Sequence, residues 1–145
     1  MSEIALPKVD KSILIRKKEI VKKLSKFVNT ENILSEADEV RPYETDALSV
    51  YTQTPLAVVL PENTKQVSDI LKYCHEENIK VVPRGAGTGL SGGALPLQDA
   101  ILLGLGKFNK VLEIDYENKC VVTQPGVTNL AITYAVEHKG FYYAP

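Results

Sequence analysis

Between Pro83 and Gly93 the chain reads PRGAGTGLSGG, which places five of its nine glycines within the nine positions from Gly85 to Gly93. Each glycine loses about 0.5–1 kcal/mol more chain entropy on folding than alanine does, so the cluster implies backbone at positive φ or a close approach by something else. Two roles fit: a tight structural loop and a ligand cradle. Two familiar phosphate motifs do not. Gly87, Gly89 and Gly92 satisfy GxGxxG after a strand-like run, but Pro96 follows too soon for the helix whose N-terminus would hold a pyrophosphate. A P-loop needs a lysine and a hydroxyl residue after its last glycine, whereas Ala94 and Leu95 stand there. What remains is a run of backbone N–H groups able to form an anion nest, with the Thr88 and Ser91 hydroxyls as further donors and Arg84 as a nearby cation. That chemistry suits a diphosphate. Arg84 has two readings, a diphosphate contact and a brace bonded to backbone carbonyls.

The remaining reactive residues form no second centre. His75 and His138 lack partners at metal or triad spacing, and Cys74 and Cys120 lie 46 positions apart with no CxxC, so no metal site is expected. Tyr43 and Asp46, in RPYETDA, read as turn-stabilising residues. Gln124-Pro125-Gly126 reads as a tight turn at a strand end.

The elements that must position the loop are legible around it. LAVVLP from Leu56 suits a buried strand, and Asn63 caps a helix with Gln66 as capping-box partner and Val67, Ile70, Leu71 and Cys74 as its apolar stripe. Asn78 ends that helix, and Ile79 to Pro83 is a second buried strand, so a βαβ unit leads directly into the glycines. Beyond them, AILLGLG predicts a third strand. KVLEID and KCVVTQ predict a hairpin across Tyr116-Glu117-Asn118, and Asn129 to Lys139 predicts a helix stopped by Gly140. Upstream, Lys11 to Lys26 carries seven basic residues against Glu19, with Ile13, Ile20, Leu24, Phe27 and Val28 as a helical stripe. That helix either packs its apolar side on the domain or docks on a membrane or partner. Glu31 to Thr54 reads as an irregular lead-in.

At 145 residues, 44% hydrophobic, the chain is long enough for one core. A formal charge of −1 gives no global attraction to nucleic acid, and none is expected as a partner. The cysteine usage, with no secretory signal or long apolar run, points to a cytoplasmic protein, a peripheral position at the membrane being the alternative.

PRGAGTGLSGG, preceded by RPYETDALSVYTQTPLAVVLPENTKQV and followed by VTQPGVTNLAITYAVEHKGFYYAP, resembles the FAD-linked oxidases of the vanillyl-alcohol oxidase and p-cresol methylhydroxylase type, in their glycolate oxidase and D-lactate dehydrogenase branch. The resemblance implies an α+β fold, the first, βαβ-containing part of a two-part FAD-binding domain. Residues 55–145 would form that part, preceded by an N-terminal helix and lead-in over 1–54. It implies FAD held by Pro83, Arg84, Gly85, Ala86, Gly87, Thr88, Gly89, Leu90, Ser91, Gly92 and Gly93, with Pro125 and Gly126 lining the flavin and Pro145 leading into a second flavin-binding segment. Some relatives attach flavin covalently through a histidine at the position of Thr88, so non-covalent attachment is expected here.

It further implies hydride transfer from a small 2-hydroxy acid to FAD. The alternative is a non-catalytic FAD- or nucleotide-binding half-domain or interaction module. Family members continue past the position of Pro145 into a further glycine-rich stretch and a substrate cap. The expectation is therefore a truncated product, with accessory oxidase subunits and self-association as its protein contacts and no catalytic residue assigned.

Overall fold

The apolar run at Leu56 forms strand β2 (Ala57–Val59) and the run at Ile79 forms β3 (Lys80–Arg84), joined by helix α4 (Thr64–Glu76) in a computed structural model that describes residues 6–144. Asn63 caps α4 as expected, its side chain accepting the Gln66 N–H at 3.0 Å, while the Gln66 side chain reaches back to the N–H of Glu62, one residue before the cap. At the other end Asn78 takes φ +55°, and the bonds from Ile79 N–H to Cys74 C=O and from Asn78 N–H to His75 C=O close a Schellman motif. The buried face of α4 is Ile70, Tyr73 and Cys74; Leu71, assigned to the stripe, is exposed.

β4 (Ala100–Gly104) lies between β2 and β3 and pairs parallel with both, and β1 (Ile33–Leu34), within the supposed irregular lead-in, adds antiparallel to β2, giving β1-β2-β4-β3. Parallel neighbours need a long crossover, usually helical. Between β3 and β4 that crossover is residues 85–99, the glycine-rich segment itself. Pro83, with no N–H for a ladder, sits on β3, an edge strand, where proline is tolerated.

Both faces of this sheet are covered, which is why β2 and β4 read as unbroken apolar runs. Ala57, Val59, Ile101 and Leu103 face a core with Ile70, Tyr73 and Cys74 of α4. Ile13 of helix α1 (Lys11–Ile15), Ile20 and Leu24 of helix α2 (Lys17–Leu24), and Val28 complete that core. The expected single basic helix is thus two segments, broken at Arg16, whose apolar side packs on the domain. Burial pushes the Cys74 thiol up to about 11 and leaves it protonated at neutral pH. On the opposite face Val58 and Leu102 meet Val40 of the short helix α3 (Ala37–Val40), with Tyr43 of the adjoining 3-10 turn (Arg41–Tyr43) packed against them. The hairpin β5 (Val111–Asp115) and β6 (Cys120–Thr123) forms separately as expected. Helix α5 (Asn129–Val136) then runs through a 3-10 turn to Gly140 at φ +79°.

Asp99, 2% exposed, fixes the start of β4 by accepting the N–H of Asp10 at 2.7 Å and the Nζ of Lys80 at 2.6 Å. Burial acts to raise its pKa, but the bonds from Lys80 and Asp10 outweigh it and hold the carboxyl below its usual range. A depressed carboxylate contributes stability above its unfolded pKa, lost as pH falls through the folded one. Lys80→Met should therefore lower stability by about 1–3 kcal/mol at neutral pH, since it leaves a buried carboxylate short of one partner. Urea unfolding should show the gap to wild type shrinking as the pH drops below the ordinary carboxylate range. A gap independent of pH would contradict the assignment.

Candidate functional site

The glycine segment leaves the carboxyl end of β3 beside that of β4, where the Leu105 N–H donates to the Arg84 carbonyl at 2.8 Å. From Gly85 through Ala94, no backbone N–H donates to an acceptor among the described residues. Such a run of unpaired donors is unusual, because folded chains pair nearly all backbone groups or leave them to water and ligands. The Thr88 and Ser91 side chains are exposed at the same loop, as are Ala86 and Leu90.

The glycines are not equivalent. Gly87 and Gly92 stand at φ +72° and +74°, a region L side chains rarely adopt. A Cβ on Gly87 would also fall on the Arg84 guanidinium. Gly85, Gly89 and Gly93 have ordinary φ and open space where a Cβ would lie, so nothing in the protein requires glycine there. These three leave the backbone accessible to a ligand.

Arg84 braces the loop. Its Nη1 donates to the Thr45 carbonyl at 2.6 Å, and its guanidinium carbon lies 5.7 Å from the centre of the Tyr43 ring, within cation–π range. One residue past Asp46, the Ala47 N–H donates to the Gly87 carbonyl at 2.9 Å. Thr45 and Ala47 therefore hold the loop from both sides of Asp46. Asp46 does stabilise its own turn, one carboxylate oxygen accepting the Leu48 N–H at 2.9 Å. Sequence reasoning assigned that turn and gave Arg84 a brace to backbone carbonyls as one of two readings, but not Thr45 and Ala47 as the loop's partners, which lie some forty positions away.

Gln124-Pro125-Gly126 forms the expected tight turn, with Val127 N–H bonded to Gln124 C=O at 3.2 Å. It docks on the segment after β4: Gly126 N–H donates to Phe108 C=O at 2.7 Å, and a Cβ on Gly126 would strike the carbonyl oxygens of Leu105 and Phe108. Because Leu105 is bonded to Arg84, the turn reaches the base of the glycine loop through one residue. Pro145 lies outside the described residues. A cavity of about 210 Å³ between the hairpin and α5, lined by Ile114, Tyr116, Ile132 and Phe141 among others, is formed by neither the glycine loop nor its clamp.

A donor-rich loop of small residues at the carboxyl ends of parallel strands fits a diphosphate, whose oxygens accept hydrogen bonds and tolerate close backbone approach. Residues 55–145 match the family described as FAD binding domain. The chain belongs to that family. Its cofactor is FAD. The glycolate oxidase subunit GlcD of Escherichia coli (strain K12) is 47% identical over 142 residues, covering 97% of this chain and 27% of that protein. GlcD of Bacillus subtilis (strain 168) is 44% identical over 103 residues, covering 71% and 22%. D-2-hydroxyglutarate dehydrogenase of Stutzerimonas stutzeri (strain A1501) is 28% identical over 124 residues, covering 86% and 27%.

Among solved structures, p-cresol methylhydroxylase with substrate bound superposes with a TM-score of 0.75 at 27% identity, covering 91% of this chain and 26% of the other. The isoeugenol complex of 4-ethylphenol oxidase from Gulosibacter chungangensis gives 0.78 at 26% identity, covering 94% and 27%. The α+β fold expected from the resemblance is the one observed. The chain spans about a quarter of the length of these relatives. Among the described residues no helix is long and apolar enough to cross a membrane.

Proposed function

We propose that this chain forms the diphosphate-holding part of a flavoprotein that oxidises a small 2-hydroxy acid of the glycolate or D-lactate class. The observation that carries the reading is the run of free N–H groups from Gly85 to Ala94, in a chain 47% identical to a glycolate oxidase subunit. Residues 55–145 act as the first part of the FAD domain, while α1 and α2 pack on one face of its sheet, α3 on the other, and β1 extends its edge. The loop N–H groups and the Thr88 and Ser91 hydroxyls bind the diphosphate, Gly87 and Gly92 supply the turns, and Arg84 keeps the loop in place from beneath. Pro125 and Gly126 support the same edge. When bound, FAD supplies the hydride acceptor; the contribution of these residues is affinity and orientation.

Attachment is non-covalent, because the loop offers the Thr88 hydroxyl where a histidyl link would need an imidazole. Accessory oxidase subunits are the proposed protein partners, in keeping with the word subunit in the relatives' names. A cytoplasmic position, peripheral to a membrane if it meets one, is proposed with them. A second reading is a flavin-binding module without turnover of its own, a role for which the backbone donors of the loop are sufficient.

One experiment addresses both. FAD added to the protein should bind saturably and return to solution on acid precipitation, and glycolate or D-lactate added without oxygen should bleach the flavin absorbance. Bound flavin that neither acid bleaches would leave the module reading in place of the oxidase. Flavin retained by the precipitate would overturn non-covalent attachment.

A further inference from the structure

Asp46 is 5% exposed, and its second carboxylate oxygen, Oδ2, is the buried side-chain polar atom without a hydrogen-bond partner among the described residues. Its first oxygen is occupied by the Leu48 N–H. Burying a carboxylate oxygen unpaired is costly, and such atoms in native folds call for an explanation, a missing ligand among them. The location narrows the explanation. Thr45 takes the Arg84 guanidinium on its carbonyl, and Ala47 gives its N–H to the Gly87 carbonyl, so Asp46 is held between two direct contacts to the diphosphate loop.

We infer that Asp46 Oδ2 accepts a hydrogen bond from a sugar hydroxyl of the bound cofactor, on the ribose or the ribityl chain that flanks its diphosphate. A carboxylate is an acceptor only, so it pairs with a hydroxyl and repels the phosphates themselves. The loop then divides the work: N–H groups hold the anionic centre of the ligand, and Asp46 fixes the polyol beside it. A hydrogen bond to an ionised acceptor is stronger than one between neutral groups, so a single such contact is enough to set the register of a flexible chain. The assignment rests on the loop being the FAD site.

Asp46→Asn tests it, since the amide oxygen still accepts the Leu48 N–H while the second position becomes a donor. FAD affinity is measured by quenching of flavin fluorescence, and FMN and ADP affinities by competition, beside the thermal midpoint of each protein without ligand. D46N should bind FAD about tenfold or more weakly, the scale of one charge-assisted hydrogen bond, with an unliganded midpoint no lower than wild type. A parallel loss for FMN alone places the hydroxyl on the ribityl chain, and for ADP alone on the ribose. Equal FAD affinity in D46N and wild type would overturn the assignment while leaving the loop site intact. So would a weaker affinity matched by a lowered midpoint, and the same two readouts on D46S, which keeps one acceptor oxygen for Leu48, guard against misfolding of a single variant. Absence of FAD binding by wild type would overturn the loop site and this assignment with it.

Discussion

Gly126→Val should destabilise the protein by about 2–4 kcal/mol, the sum of overpacking at about 1–3 kcal/mol and a lost backbone hydrogen bond near 1 kcal/mol. The atoms in the way are carbonyl oxygens of Leu105 and Phe108, part of the chain itself and unable to rotate aside as a side-chain tip would. The same approach carries the bond from the Gly126 N–H to Phe108. Urea denaturation should show a much lower midpoint, or the variant should accumulate as insoluble protein. Pro125→Ala, at the exposed neighbour, should change stability by well under 1 kcal/mol on the scale of ordinary surface substitutions. A Gly126→Val protein with the wild-type midpoint would show that the turn does not press on the segment after β4.

Gly87→Ala should weaken FAD binding by about tenfold or more and lower stability by about 1–2 kcal/mol, the cost of a left-handed backbone for an L residue. The new methyl group would meet the Arg84 guanidinium and push it from the Thr45 carbonyl and the Tyr43 ring, loosening the brace under the loop. Gly89→Ala separates the two effects. Gly89 has ordinary φ and nothing within contact of an added Cβ, so the unliganded protein should be as stable as wild type. Weaker FAD binding by Gly89→Ala, at unchanged stability, would mark ligand approach to the loop backbone. Wild-type affinity in Gly87→Ala would remove the loop from the site. Isothermal titration and urea unfolding of the three proteins supply both numbers.

The parts of this fold legible in the sequence are those decided within a few residues. Asn63 and Asn78 bound α4 because a cap side chain and a left-handed residue act locally, and the runs at Ala57 and Ala100 read as buried strands because both of their faces are covered. What was not legible depends on distant partners. Nothing near Ala100 says that β4 will enter between β2 and β3, and a two-residue strand such as Ile33–Leu34 exists only through its pairing with Val58 and Val59. The break at Arg16 likewise interrupts a continuous helical stripe.

The candidate site divides the same way. Glycine content exposes the loop, but only the backbone angles distinguish Gly87 and Gly92, which the fold needs, from Gly85, Gly89 and Gly93, which it does not. The brace made by Arg84 has no local signature, because Tyr43 and Thr45 lie some forty positions away in the chain and directly against it in space. Asp46 looked like an ordinary turn residue because its first oxygen is one. Its second oxygen has no signature in sequence.

The insertion of β4 between β2 and β3 also sets a timetable for synthesis. A nascent chain that has emerged through Arg84 holds β2, α4 and β3, yet neither of those strands can pair with the other across the place reserved for β4. At about 5–20 residues per second, the ribosome takes roughly 1–4 s to deliver the following twenty residues, and until then β2 and β3 wait with open edges. The interval is spent making the glycine segment, whose flexibility lets β4 swing back and enter the gap. The loop proposed to cradle the diphosphate is thus also the tether that closes the sheet.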